Sequence, residues 1–314
     1  MTTFRAVPRQ ATSAGRSGYP LGPVGLHSLM EVGSGSADVI VGLIDGPVAV
    51  DHPALAGARF RPAHGIAGAC TRAQLSCAHG TFVAGILAAH RGSAAPGICP
   101  ECTILVRPIF MDSASDPYDM PRATAAGMAQ AMRECIDGGA RVLNLSVALQ
   151  RSDAEGERRL TGTLDLASRR GVIIVVAAGN EGQMGSSALT RHRWVVPVVA
   201  FARNGRPLTG TNLGRSIGQN GLGAPGERVV SLTPGGGTVA LSGTSAATPF
   251  VTGAAALLWS KFPRASAASI RLALTRPPSR AARQAAPPLM DAWGAYRRLA
   301  GWYERSDRSV GTRT

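Results

Sequence analysis

The feature that most restricts this chain is a series of short β-branched runs, several of them apolar on both faces. Val39–Ile44, Val172–Ala177 and Trp194–Ala200 are apolar almost throughout, and Ile104–Ile109 and Val142–Val147 have a similar make-up. A strand with apolar side chains pointing both ways must be covered on both sides. Between these runs come Ala-rich stretches with helical spacing. His79–Ala89 carries Phe82, Val83, Ile86 and Leu87 on one face, and Ala123–Gly138, Arg158–Arg170, Ser266–Thr275 and Met290–Ala300 read as helices too. Ser245–Lys261 is apolar nearly all round, as a buried helix must be. Glycines at 138, 139 and 171 stop two of these helices. Strands alternating with helices imply an α/β fold in three layers, with a mostly parallel central sheet covered by helices on both faces. In such sheets, functional groups collect beyond the carboxyl ends of the strands.

The chain divides into a mobile N-terminal segment (1–24), one domain (25–300) and a polar C-terminal tail (301–314). Its 314 residues are 45% hydrophobic and 17% charged, too apolar for a disordered chain and too poor in Glu and Lys for a coiled coil. No apolar run reaches the roughly 18–20 residues of a membrane span. Met1–Pro23 lacks the apolar stretch of a signal peptide, so the expected location is the cytoplasm, without membrane association. The net charge of +14 rests on arginine: Lys261 is the sole lysine, leaving 33 − 1 = 32 arginines. They are scattered, without interleaved aromatics, and read as solvated surface rather than a nucleic-acid interface. The oligomeric state is left open.

Four polar residues sit where strands end or helices begin. Asp45 directly follows the strand Val39–Ile44, where a carboxylate is costly unless something binds it. His79 opens a helix in His-Gly-Thr-Phe-Val-Ala-Gly, and Gly80 beside it permits close approach. Asn180 ends the run Val-Ile-Ile-Val-Val-Ala-Ala-Gly-Asn, from which its amide can donate a hydrogen bond. Ser245 begins the most apolar helix, where unpaired N–H groups and a partial positive charge suit a nucleophile whose product is an oxyanion. Singly, each has an ordinary explanation as a turn former or a helix cap. Together they supply acid, base, oxyanion donor and nucleophile, and their order Asp…His…Ser is that of subtilisin.

These segments resemble those of the subtilisin-like serine peptidases, the subtilases. The likeness rests on Val-Gly-Leu-Ile-Asp-Gly at Asp45, His-Gly-Thr-Phe-Val-Ala-Gly at His79, Val-Ala-Ala-Gly-Asn at Asn180, Ala-Pro-Gly at 224–226 and Gly-Thr-Ser-Ala-Ala-Thr-Pro at Ser245. The Met290–Leu299 segment resembles the family's closing helix. A narrower likeness, in Leu43-Ile-Asp-Gly-Pro-Val48, His52-Pro53 and Pro234-Gly-Gly-Gly-Thr238, is to subtilases that process ribosomal peptide precursors in cyanobactin-type pathways. The resemblance implies a subtilisin-like fold and a serine endopeptidase with the triad Asp45, His79 and Ser245 and the oxyanion donor Asn180. The backbones of Ser146, Val147 and Ala148 on one side, and Ala177, Ala178 and Gly179 on the other, are expected to flank a peptide or protein substrate. The alternatives are a peptide-precursor maturation protease or acyl transferase, and a catalytically inactive peptide-binding subtilase.

Departures from the family pattern fall beside these residues. Phe82 replaces a second histidine, Ala246 a methionine and Phe250 a histidine, while Ser146-Val147-Ala148-Leu149 lacks the usual glycines beside the substrate. Secreted relatives carry an inhibitory pro-domain, and the roughly 38 residues before the first strand are too few for one of that kind. The five cysteines, Cys70, Cys77, Cys99, Cys102 and Cys135, are odd in number and follow no signal peptide, which disfavours a structural disulfide framework; buried thiols are expected, with local redox pairing as the alternative. Cys99-Pro-Glu-Cys102 has ligand-like spacing for zinc and Cys70 and Cys77 could complete four ligands, but a helix of about 16 Å separates the two pairs, so no metal is expected there. No cofactor is expected, apart from a weak structural calcium that Asp112, Asp116 and Asp119 leave open.

Overall fold

The computed structural model of the chain describes residues 21–65, 70, 75–109, 123–147, 149, 153–276 and 285–311, with side chains as far as 305. Its elements are α1 (Leu26–Glu31), β1 (Ile40–Asp45), β2 (Arg59–Pro62), α2 (Leu75–Ala88), β3 (Thr103–Pro108), α3 (Ala125–Asp137), β4 (Val142–Leu145), α4 (Ala154–Arg170), β5 (Ile173–Ala177), α5 (Ala188–Arg191), β6 (Val195–Phe201), α6 (Arg215–Asn220), β7 (Leu222–Pro225), β8 (Val229–Thr233), β9 (Gly237–Leu241), α7 (Thr244–Lys261), α8 (Ala267–Thr275) and α9 (Ala292–Gly311).

Among the described residues, seven strands form one sheet in the order β2-β3-β1-β4-β5-β6-β7, every pair parallel. The expected architecture is the observed one. Along β5, Ile173 and Val175 face a core shared with α2 and α7, while Ile174 and Val176 face a second core shared with α3 and α4. This period-2 split explains why the strand reads as continuously apolar. Residue by residue, β1 is buried from Val41 to Asp45.

The chain leaves β1 for one side of the sheet and later resumes on the other side with β4. The topological switch point therefore lies between the ends of β1 and β4, where a crevice opens in folds of this kind. In register, Ile44 pairs with Leu145 and Leu145 with Val176, so Asp45, Ser146 and Ala177 form the next row across three strands.

Several boundaries differ from the sequence reading. The helix expected to open at His79 begins at Leu75, which places the histidine one turn inside it. The α4 helix begins at Ala154 because Asp153 caps it, accepting from the Gly156 N–H at 2.7 Å. Its end at Gly171, with φ of 66°, is as expected. The closing helix expected over Met290–Ala300 extends to Gly311, so most of the segment 301–314 expected to be a tail is helical. Residues 1–20 of the expected N-terminal segment lie outside the described residues.

Candidate active site

Asp45 is the last residue of β1, fully buried, and His79 lies on α2 with 4% exposure. The imidazole Nδ1 is 2.7 Å from Asp45 Oδ1, which also accepts the Gly46 N–H at 2.7 Å. Two glycines allow this approach. A Cβ on Gly46 would lie 1.9 Å from the Ser76 carbonyl oxygen, and one on Gly80 would lie 2.3 Å from that of Pro47. Strand end and helix thus meet backbone to backbone. Burial by itself lowers the His79 pKa, but the charge of Asp45 and its hydrogen bond outweigh that, and the pKa is raised above the ordinary value. The arrangement holds an imidazole with Nδ1 committed to the carboxylate and Nε2 left for chemistry.

Ser245 is the second residue of α7 and half-exposed. Asn180 lies beside the turn that precedes it. Its Oδ1 accepts the Thr244 N–H at 2.9 Å and lies 3.2 Å from the Thr244 hydroxyl. With its oxygen so engaged, the exposed Asn180 amide keeps its NH2 end for donation. Gly243 comes within 3.1 Å of Asn180 Oδ1 when given a Cβ, and its φ of 136° is one that side chains rarely adopt.

The residues expected to form the triad and its oxyanion donor fall into two groups. Asp45 and His79 are joined directly, and Ser245 and Asn180 through Thr244. The helix that carries His79, α2, packs on the helix that carries Ser245, α7. His79 and the Ser245 hydroxyl share no hydrogen bond, and such catalytic bonds commonly tighten only with substrate in place.

Of the expected substrate-flanking residues, Ser146 and Val147 follow β4 and are buried at 4% and 6% exposure, and Ala148 lies outside the described residues. Ala177 ends β5, and Ala178 and Gly179 follow it. A Cβ on Gly179, whose φ is 108°, would meet Asn212 Nδ2 at 2.2 Å. The three departures Phe82, Ala246 and Phe250 all lie in the core between sheet, α2 and α7.

The cysteines correct one expectation. Cys70 and Cys77 form a disulfide, with Cα atoms 5.2 Å apart, tying residue 70 to α2 two positions before His79. The odd number of cysteines and the redox compartment were the grounds for disfavouring a disulfide framework, and neither reports the Cα separation, which here lies within the disulfide range. The bond takes two thiols out of the zinc set considered above, and among the described residues no group of three or more His, Cys, Asp and Glu could hold a metal. Cys99, Cys102 and Cys135 are free and buried, and burial pushes the Cys135 thiol up to about 12, which leaves it inert. Asp112, Asp116 and Asp119 lie outside the described residues.

Residues 36–289 match the subtilase family. The chain belongs to the subtilase family. This subtilase is 31% identical to subtilisin DY of Bacillus licheniformis over 243 residues, which cover 75% of this chain and 81% of that protein. It is 32% identical over 186 residues to a thermostable alkaline protease of Halalkalibacterium halodurans, spanning about half (48%) of that protein and 59% of this chain. Among solved structures, a serine-to-alanine mutant of the protease domain of PatA superposes with a TM-score of 0.75 at 32% identity, covering 85% of the subtilase and 97% of that domain. The prenylagaramide maturation protease PagA does so with a TM-score of 0.76 at 27% identity, covering 88% and 99%. The PatG macrocyclase domain, at 20% identity and a TM-score of 0.75, shares the fold. Among the described residues no helix is long and apolar enough to cross a membrane.

Proposed function

We propose that this subtilase is a serine endopeptidase of restricted range that cuts peptide precursors, with Asp45, His79 and Ser245 as its triad and Asn180 as its oxyanion donor. The buried 2.7 Å contact between Asp45 and His79 carries the chemical part of this reading. A carboxylate there serves no packing purpose and is tolerated because it orients and charges the imidazole. The likeness to PatA and PagA, which spans nearly the whole of both domains, supports the substrate class.

In this reading a peptide lies as an extra strand between the segments after β4 and β5. His79 takes the Ser245 hydroxyl proton as the oxygen attacks the scissile carbonyl. Asp45 holds the tautomer and stabilises the imidazolium without taking the proton. The Asn180 NH2 and the Ser245 N–H receive the oxyanion. His79 then protonates the leaving amine, and water resolves the acyl-enzyme. Incubation with a peptide library, read by mass spectrometry beside Ser245→Ala, is expected to show cuts at few sequences, all absent from the variant. Broad cleavage would remove the precursor-specific part, and cuts shared with the variant would remove the reading altogether.

The raised pKa of His79 sets a pH dependence. The general base works only when neutral, so kcat/KM is expected to rise with pH through that raised pKa. Its acid limb then lies above the roughly 6.5 of an unperturbed histidine. The effect on stability has the opposite sign. The His79–Asp45 contribution is complete below the unfolded histidine's pKa and is lost as pH rises through the folded one. Asp45→Asn is expected to move the His79 titration, followed by NMR, to lower pH. An unmoved titration contradicts the pairing.

A further inference from the structure

Among the fully buried polar side chains without a part in this chemistry are Asn144 in β4 and Thr252 in the middle of α7. Both lie among apolar neighbours, where a polar group is costly unless satisfied. They satisfy each other: the Thr252 hydroxyl donates to Asn144 Oδ1 at 2.8 Å. The Asn144 amide nitrogen donates in turn to Ser146 Oγ at 2.9 Å, and the Ser146 hydroxyl donates to the Ser245 carbonyl at 3.2 Å. Every group in this chain points its proton the same way, from the helix interior toward the nucleophile's own peptide.

The Ser245 carbonyl needs that partner. Its helical donor is the N–H four residues on, and that residue is Pro249, which has none. The proline ring also crowds the carbonyl four residues back and tilts it off the helix axis. The Ser146 hydroxyl takes the missing donor's place. Ser146 is also the first residue after β4, in the segment assigned above to the substrate backbone. One residue therefore fixes the nucleophile's peptide through its side chain and faces substrate through its main chain.

We propose that Asn144, with Thr252 and the Ser146 side chain, is a positioning network that sets the Ser245 hydroxyl and N–H against the substrate strand. None of the three exchanges a proton with substrate. They act through Ser245, and the inference rests on the assignment of Ser245 as nucleophile. A displacement of about 1 Å at a reacting atom is enough to cost one to two orders of magnitude in rate.

The test uses the full chain and a fluorophosphonate probe together with a cleaved peptide. Wild type is first labelled at Ser245; if it is not, the assignment of the nucleophile fails and not the network. With labelling established, Ser146→Ala and Thr252→Val are each expected to lower kcat and the rate of labelling by about tenfold, with KM unchanged. Thr252→Ser, which keeps the hydroxyl, is expected to restore the rate. Thr252 lies seven residues beyond Ser245, so a purely structural role would lower the melting temperature and leave kcat of the folded enzyme alone. In the double variant the losses are expected to fall short of the product of the single ones, since both cut one chain. Asn144→Ala removes both links and is expected to be the slowest of the set that folds. Labelling rates and kcat at wild-type values in Ser146→Ala and Thr252→Val, or a loss confined to KM, would overturn the proposal.

Discussion

Ser245→Ala is expected to lower kcat for peptide cleavage by about 10⁶-fold, the scale of loss when the serine of subtilisin's triad is removed. The thermal midpoint is expected to stay where it is, because the hydroxyl is half-exposed and the residue's packing role lies in its backbone carbonyl. Asn180→Ala is expected to be milder, about 10²–10³ in kcat, since it removes one oxyanion donor and leaves the Ser245 N–H. That variant also frees the Thr244 N–H, which Asn180 Oδ1 holds at 2.9 Å, so it mixes two effects. Asn180→Asp separates them. It keeps an acceptor for Thr244 and puts negative charge where the oxyanion forms. It is therefore expected to be slower than Asn180→Ala if oxyanion stabilisation dominates, and faster if the residue serves only to hold Thr244. Peptide cleavage followed by mass spectrometry under single-turnover conditions measures all three. Wild-type rates from Ser245→Ala and Asn180→Ala together would remove the proposed mechanism.

What the sequence made legible follows from which forces act locally. Runs such as Val172–Ala177 announced a strand buried on both faces because burial on both faces is what removes alternation. The rule that functional groups collect beyond strand ends put Asp45 where chemistry was sought, whereas the switch point between β1 and β4 rests on a strand order that local sequence does not report. The elements missed are those that long-range contacts impose. Leu222–Pro225 reads as a turn, yet it is a buried edge strand, a position where proline's missing N–H is tolerated. Arg59–Pro62 is an edge strand with little burial, so no periodicity marks it. The antiparallel pair β8 and β9 turns through Gly235 and Gly236, each at a φ of 100°, and only the glycines hinted at it. The helix at His79 was placed one turn late because the histidine and its glycine read as a start. Ser76, the one residue of Leu75–Ala78 with a capping side chain, lies inside the helix and does not mark its start. The Cys70–Cys77 bond depends on where the loop returns, which no spacing rule reports. Asn144 and Thr252 did leave a trace. An amide inside an apolar strand, and a hydroxyl inside a helix apolar all round, demand partners, and that demand was readable before the partners were.

Gly46→Ala tests whether the strand–helix contact is what builds the Asp45–His79 pair. The added methyl would stand 1.9 Å from the Ser76 carbonyl oxygen and 2.4 Å from its carbonyl carbon. No side chain can swing aside, because both sides of the contact are main chain. Ser76 lies in the first turn of α2, where its carbonyl accepts from the helix four residues on, so rotating it away breaks that turn. Either β1 or α2 must then retreat, and the 2.7 Å contact between imidazole and carboxylate is the first thing lost. The expected result is a fall in kcat approaching that of losing the carboxylate's orienting role, about 10⁴-fold, with a destabilisation of about 1–3 kcal/mol from overpacking. Gly80→Ala is expected to act in the same direction, since its methyl would sit 2.4 Å from the Gly46 carbonyl oxygen. Gly162→Ala is the control. That glycine is exposed on α4 with nothing within 4 Å of its added Cβ, and alanine there is expected to raise stability by roughly 1 kcal/mol without touching kcat. Folded Gly46→Ala with wild-type kcat and an unchanged His79 titration would mean that the pair holds together by some route other than this close approach. The glycines would then serve the packing of α2 alone.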